Sequence, residues 1–173
     1  MKKGFILFLL VIGLLVCGNN CTFAESLPKV SAIAEIGTLT INNNLEQALE
    51  KCNKALEEYP DNSELYYWRA SIKGKMNNNK EALADYNKAV ELEPGDPDLY
   101  VMRGICKSDL DDREGAIADF NKALELNPKN SSAYSMRACV KLDMGDFEGA
   151  TKDLEMANSL FDNDEKSFKP AVQ

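Results

Sequence analysis

Apolar residues recur along this chain at helical spacing, in short runs separated by polar turns. The pattern is clearest between Pro97 and Asn130. Leu99, Val101, Met102, Ile105, Cys106 and Leu110 form one run, and Ile117, Phe120, Ala123, Leu124 and Leu126 form the next. Asp111-Asp112-Arg113 lies between them, a polar turn too short for anything but an antiparallel helix pair. Pro128 follows the second run, where it ends the helix and turns the chain into the next unit. Gly104 is expected to face Ala116 at a tight helix crossing, with Ala123 meeting the following unit. One helix pair cannot cover its own apolar face, so neighbouring pairs must stack.

The same landmarks return every 34 residues. Ala48, Ala82, Ala116 and Ala150 form one series, and Ala55, Ala89, Ala123 and Ala157 a second. Pro60, Pro94 and Pro128 form a third, with Asp162 where a fourth proline is due. A fixed period of this length signals a stacked helical repeat. In the unit from Pro97 the landmarks are Tyr100, Arg103-Gly104, Lys107, Ala116, Phe120, Ala123 and Pro128. The preceding unit has Tyr66, Arg69-Ala70, Lys73, Ala82, Tyr86, Ala89 and Pro94, and the following one Tyr134, Arg137-Ala138, Lys141, Ala150, Leu154 and Ala157. From Lys29 to Asp162 the chain resembles the tetratricopeptide-repeat family, whose unit runs aromatic, Leu-Gly, aromatic, Ala, aromatic, Ala, Pro. It departs from that pattern periodically: Arg stands for Leu, and Lys for the second aromatic, in three units.

The expected fold is therefore all-α, a superhelical solenoid of antiparallel helix pairs. Its units are 29–62, which is degenerate, then 63–96, 97–130 and 131–162, followed by a frayed tail over 163–173. In the first unit, Ser31–Asn42 lacks the aromatic and is rich in β-branched residues, yet a helix is expected there because terminal repeats are atypical. The opening segment has Lys2-Lys3, an apolar run from Phe5 to Cys17, and Thr22-Phe23-Ala24. That is the layout of a secretory signal peptide cleaved after Ala24, which implies a periplasmic or secreted protein. The apolar run is too short for a membrane span, which needs about 20 residues. A lipid-anchored Cys17 is disfavoured by the bulky Val16 before it.

Composition narrows the role. Removal of residues 1–24 takes away two lysines and no acid, which leaves 18 basic against 28 acidic residues and a net charge of −10. That sign disfavours nucleic acid and anionic lipid. The chain has no histidine, the commonest general base and metal ligand near neutrality. It also lacks a phosphate-binding glycine loop, a nucleophile elbow and a CxxC pair. Asp109, Asp111, Asp112 and Glu114 cluster without the glycine and terminal glutamate of a calcium loop. No enzyme activity, cofactor or metal is expected. Cys52, Cys106 and Cys139 are an odd set without framework spacing, which argues against a disulfide scaffold.

Two sets of residues stand out. Arg69, Arg103 and Arg137 each precede an aspartate by sixteen residues, Asp85, Asp119 and Asp153. Arginine's planar fork suits bidentate carboxylate pairing, so a ladder of structural ion pairs is expected rather than a basic ligand surface. The second set follows from the resemblance, which implies a concave face lined by the first helix of each unit. The groove residues there are Tyr67, Ser71, Val101, Ile105, Ser135 and Cys139, flanked by Glu64, Asp98, Lys75, Asp109 and Asp143. Some family members clamp a peptide carboxylate with repeated Lys and Asn on that face, a constellation these positions lack. The resemblance thus implies an exported protein-interaction module or scaffold holding a peptide or protein segment in a mixed aromatic, aliphatic and acidic groove. A self-associating structural protein is the alternative, because Leu154, Leu160 and Phe161 on the last helix have no following unit to cover them.

Overall fold

The computed structural model describes the backbone of residues 22–167 and the side-chain surroundings of residues 29–160. Eight helices follow one another over this span: α1 Thr22–Ile41, α2 Leu45–Glu58, α3 Ser63–Lys75, α4 Asn79–Leu92, α5 Pro97–Asp109, α6 Arg113–Leu126, α7 Ser131–Asp143 and α8 Phe147–Ser167. They pack as four antiparallel pairs, α1 with α2 through α7 with α8. Each pair rests on the next through its second helix, and first helices also touch directly, α1 on α3 and α5 on α7. The result is an all-α solenoid.

Both turns of the repeat have a local cause. Within each pair the connecting turn holds one left-handed residue, Asn43, Asn77, Asp111 or Gly145, with φ between 59° and 81°. These are the residue types that tolerate that conformation. The N–H just beyond it returns to the helix, as Asn78 to the Lys73 carbonyl at 2.9 Å and Asp112 to that of Lys107 at 2.9 Å. Between pairs, the prolines at 60, 94 and 128 follow the helix ends, and Asn62, Asp96 and Asn130 then cap the next first helix through their side chains.

The two alanine series lie in the helix contacts. Ala48, Ala82, Ala116 and Ala150 have no exposed surface, and neither do Ala89 and Ala123. At Gly104 the nearest side chain is that of Phe120. A Cβ at Gly104 would stand 2.7 Å from Cε1 of Phe120, so its absence makes room for that fully buried ring. Ala70 and Ala138 hold the register of Gly104 in the neighbouring units, where Tyr86 and Leu154 hold that of Phe120.

At the N-terminal end α1 is helical despite its β-branched content. Thr38 and Thr40 donate their hydroxyls to the carbonyls of Ala34 and Ile36 at 2.8 Å, which satisfies them inside the helix. Ile36 is fully buried, and Trp68 of α3 packs over Gly37, where a Cβ would stand 3.3 Å from the ring. At the other end α8 passes the expected boundary near Asp162 and continues to Ser167, five residues into the expected tail. After Gly149 in its first turn, no proline or glycine occurs before Pro170. The expected leader, apart from Thr22–Ala24 in the first turn of α1, lies outside the described residues with Cys17. So do residues 168–173 and the surroundings of Phe161.

Candidate functional site

The arginine series forms one repeated motif. Arg103 on α5 donates through Nε to Asp119 Oδ2 at 2.8 Å and through Nη2 to Oδ1 at 2.6 Å, a bidentate pair across the helix pair. Arg69 makes the same fork with Asp85 at 2.9 and 2.6 Å, and Arg137 with Asp153 at 2.8 and 2.5 Å. All three carboxylates are buried, only 4–5% exposed. Each is held by a second cation, Lys73, Lys107 or Lys141, with Nζ 2.8 Å from Oδ2. Each guanidinium also lies over a tyrosine ring of its own helix, Tyr66, Tyr100 or Tyr134, 5.3–5.5 Å from the centroid.

The third donor of each arginine links units. Nη1 of Arg69, Arg103 and Arg137 donates to Oδ1 of Asn53, Asn87 and Asn121 on the preceding second helix, at 3.2, 3.3 and 2.6 Å. The motif therefore fastens each pair internally and to its predecessor. Burial alone pushes the Asp153 carboxyl upward, but hydrogen bonds from Arg137 and Lys141 outweigh it and hold the group below its ordinary range. The partner arginines are pushed further up, chiefly by the hydrogen bonds to these aspartates.

In the first unit the charges are reversed. Glu35 stands at the arginine register and Lys51 at the aspartate register, and Lys51 Nζ meets the Glu35 carboxylate at 2.8 Å on the surface. Leu39 replaces the lysine that supports the other three pairs. Such an exposed pair is worth only about 0–1 kcal/mol.

The groove residues divide between two depressions on the face made by the first helices. Tyr67 and Val101 lie in the larger, a cleft of about 630 Å³ whose walls also include Trp68 and Met102. Its rim is acidic: Glu64, Glu93, Asp96 and Asp98, with Lys29 the one cation among the lining residues. Val101 is 3% exposed and forms floor rather than an open contact surface. Ser71 and Ile105 line the second depression, of about 240 Å³, together with Lys75 and Asp109; Met102 borders both. Ser135 and Cys139 fall in neither. The Ser135 hydroxyl donates to the Ser131 carbonyl at 3.0 Å, and Cys139 is an exposed free thiol.

Two aromatic side chains give the larger cleft its shape. Tyr67 meets Trp68 edge-on at 5.6 Å between centroids, and Tyr86 in similar fashion at 6.3 Å. Burial, then the charges of Asp98 and Asp96, push the Tyr67 hydroxyl above its usual range, so it remains a neutral donor near two carboxylates. The flanking positions Glu64 and Asp98 thus belong to the cleft. Trp68, Met102, Glu93 and Asp96 were not anticipated; Trp68 and Met102 stand within α3 and α5, and Glu93 and Asp96 belong to the turn between α4 and α5. Repeated lysines and asparagines do occur, at 73, 107 and 141 and at 53, 87 and 121, but they are engaged by the aspartates and arginines.

Comparison with known proteins places this geometry. A tetratricopeptide-repeat profile matches residues 63–96 and 97–130, and a second profile of the same repeat matches 120–152. No curated protein sequence matches the chain. Among solved structures, the chain is similar to "Crystal structure of MamA" with a TM-score of 0.73 at 18% identity, covering 82% of this chain and 84% of that one. It is also similar to "MamA 41-end from Desulfovibrio magneticus RS-1" with a TM-score of 0.70 at 19% identity, over 80% and 76% of the two chains. A third likeness is to "First TPR of Spaghetti (RPAP3) bound to HSP90 peptide SRMEEVD", with a TM-score of 0.64 at 23% identity over 67% and 92%. At these identities the likeness concerns the fold. The repeat matches run from residue 63 to 152, over half the chain, and they agree with its helix pairs, its turns and its stacking: the chain belongs to the tetratricopeptide-repeat family.

Proposed function

We propose that this protein is an exported protein-interaction module whose concave cleft holds an extended or helical segment bearing an aliphatic anchor and a basic side chain. The observation that carries the reading is the pairing of an aromatic and aliphatic lining, Tyr67, Trp68 and Met102, with an acidic rim of Glu64, Glu93, Asp96 and Asp98. An apolar side chain gains by leaving water on such a lining, roughly 25 cal/mol per Å² buried. An arginine or lysine beside it meets both the aromatic faces and the carboxylates. The peptide named with one structural neighbour, SRMEEVD, is acidic at its end. This cleft has the opposite preference, since four carboxylates and a single lysine line it, and the repeated lysines and asparagines are committed to the ion-pair ladder elsewhere. Export rests on the charged start, short apolar run and small residue at Ala24 in the sequence.

Selection of a random peptide library on the purified chain tests the cleft. Sequences enriched in arginine or lysine beside leucine, valine or phenylalanine are expected, with enrichment lost in the double variant Asp96→Lys and Asp98→Lys. Enrichment in acidic peptides, or enrichment indifferent to that variant, refutes the reading. Intact-mass measurement of the native protein tests export, which predicts a mature N-terminus near Glu25.

A further inference from the structure

The two ends of the stack differ in a way that specifies a neighbour. At each internal junction the second helix of one unit offers an asparagine, Asn53, Asn87 or Asn121, to the arginine of the next first helix. On α8, the last helix of the described residues, the same register is held by Glu155. Glu155 is exposed and has no ion pair among the described residues. Beside it, Leu154 is 41% exposed, whereas Phe120, one repeat before it, is wholly covered; Met156 holds the register of the exposed Lys122 and lies outside that junction. An acceptor and an apolar surface thus stand open together, in the register by which α6 holds α7.

We propose that this open face of α8 docks a helix of a partner protein that carries an arginine at the register of Arg137. The proposal does not depend on what the concave cleft binds. Its first support is continuity: Ala133 and Val140, which flank Arg137 on α7, are buried in one cluster with Phe120, Ala123 and Leu124 of α6, so small or aliphatic residues at −4 and +3 from the arginine define the complementary face. Its second support is charge. Replacing the neutral asparagine acceptor by a carboxylate strengthens a bond from arginine, because charge-assisted hydrogen bonds are roughly twice as strong as neutral ones. The third is exclusion of a second copy. Head-to-tail stacking would bring α1 onto α8, and α1 presents Glu35 at the arginine register, already occupied with Lys51 of its own chain. Like charges at contact disfavour that pairing, which otherwise propagates into an open filament. The reversed pair of the first unit and Glu155 at the last therefore act in the same sense: they block the chain from extending itself and leave the end to a foreign cationic helix.

The test uses a helix-stapled peptide with the sequence of residues 131–143, since an unrestrained helix of that length is marginal in water. A second peptide carries Arg137→Glu. Fluorescence anisotropy on the full chain should show the arginine peptide binding about tenfold more tightly than the glutamate peptide, a difference of about 1.4 kcal/mol. Glu155→Lys should invert that preference, and Leu154→Ser should weaken both peptides. Equal affinity for the two peptides, a preference unchanged by Glu155→Lys, or absence of binding at millimolar peptide overturns the proposal. So does a light-scattering mass above that of the monomer that Leu154→Ser returns to monomer, which assigns the face to a second copy. Binding that emerges only after removal of residues 168–173 also overturns it, by assigning the face to the chain's own end.

Discussion

Breaking the ion pair of the central unit on either side should cost more than the contact appears to be worth. Asp119 is 4% exposed and accepts two bonds from Arg103, at 2.8 and 2.6 Å, and one contact from Lys107 at 2.8 Å. In Arg103→Ala the buried carboxylate keeps Lys107, so part of its charge stays compensated. Loss of two charge-assisted bonds, of the Tyr100 stacking and of the link to Asn87 should then destabilise by about 2–3 kcal/mol. Asp119→Ala strands two cations instead, both under a fifth exposed, and approaches the about 3–5 kcal/mol typical of a buried pair broken on one side. The double variant removes both the buried charge and its principal partner, so it should lose less than the sum, by about 1–2 kcal/mol. Urea denaturation followed by circular dichroism on the four proteins gives the cycle. Strict additivity, or single losses below about 0.5 kcal/mol, would refute the claim that the pair is a coupled structural element.

Further outcomes follow from the same geometry. Gly104→Ala should destabilise by about 1–3 kcal/mol because its Cβ would stand 2.7 Å from the Phe120 ring, whereas Gly74→Ala, with nothing within 4 Å, should stabilise by about 0.5–1 kcal/mol; thermal denaturation distinguishes the two. Ala116→Leu, at a fully buried helix contact, should also cost about 1–3 kcal/mol in the same assay. Because the folded-state carboxyl of Asp153 titrates below its unfolded value of about 3.9, its contribution is present above that pH and lost as the pH falls through the depressed folded value; Asp153→Asn should flatten that part of an acid-unfolding curve. Cys139, exposed and free, should label with a maleimide well before Cys52 and Cys106, whose thiols burial pushes up to about 11; peptide mapping after brief labelling reads the order.

The repeat could be read from the chain because its determinants are local and recur. A proline after the first three second helices, an alanine at each crossing and a left-handed asparagine, aspartate or glycine in each turn act within a few residues of themselves. The spacing of Arg103 from Asp119 was equally visible, since one helix pair brings sixteen residues back upon themselves. Lys107 and Asn87 recur at the same period but were not joined to that pair, because their roles depend on how two helices cross and how one unit rests on the next. Gly104 shows the same limit: its period marks a close approach, but only packing identifies Phe120 as the nearest side chain. The cleft was legible only in part. Tyr67 and Val101 come together as first-helix neighbours, while Asp96 and Glu93 enter from the turn, where curvature of the stack decides which face they line.

Trp68 is the chain's single tryptophan and lies in the wall of the larger cleft, so its fluorescence reports directly on occupancy. Titration of the full chain with a peptide of alternating leucine and arginine should shift that emission saturably, with affinity falling as salt rises. A matched peptide of leucine and glutamate should leave it unchanged, and the double variant Asp96→Lys and Asp98→Lys should exchange the two responses. A signal from the glutamate peptide on the unaltered chain, or an arginine response that survives the double variant, would contradict the account.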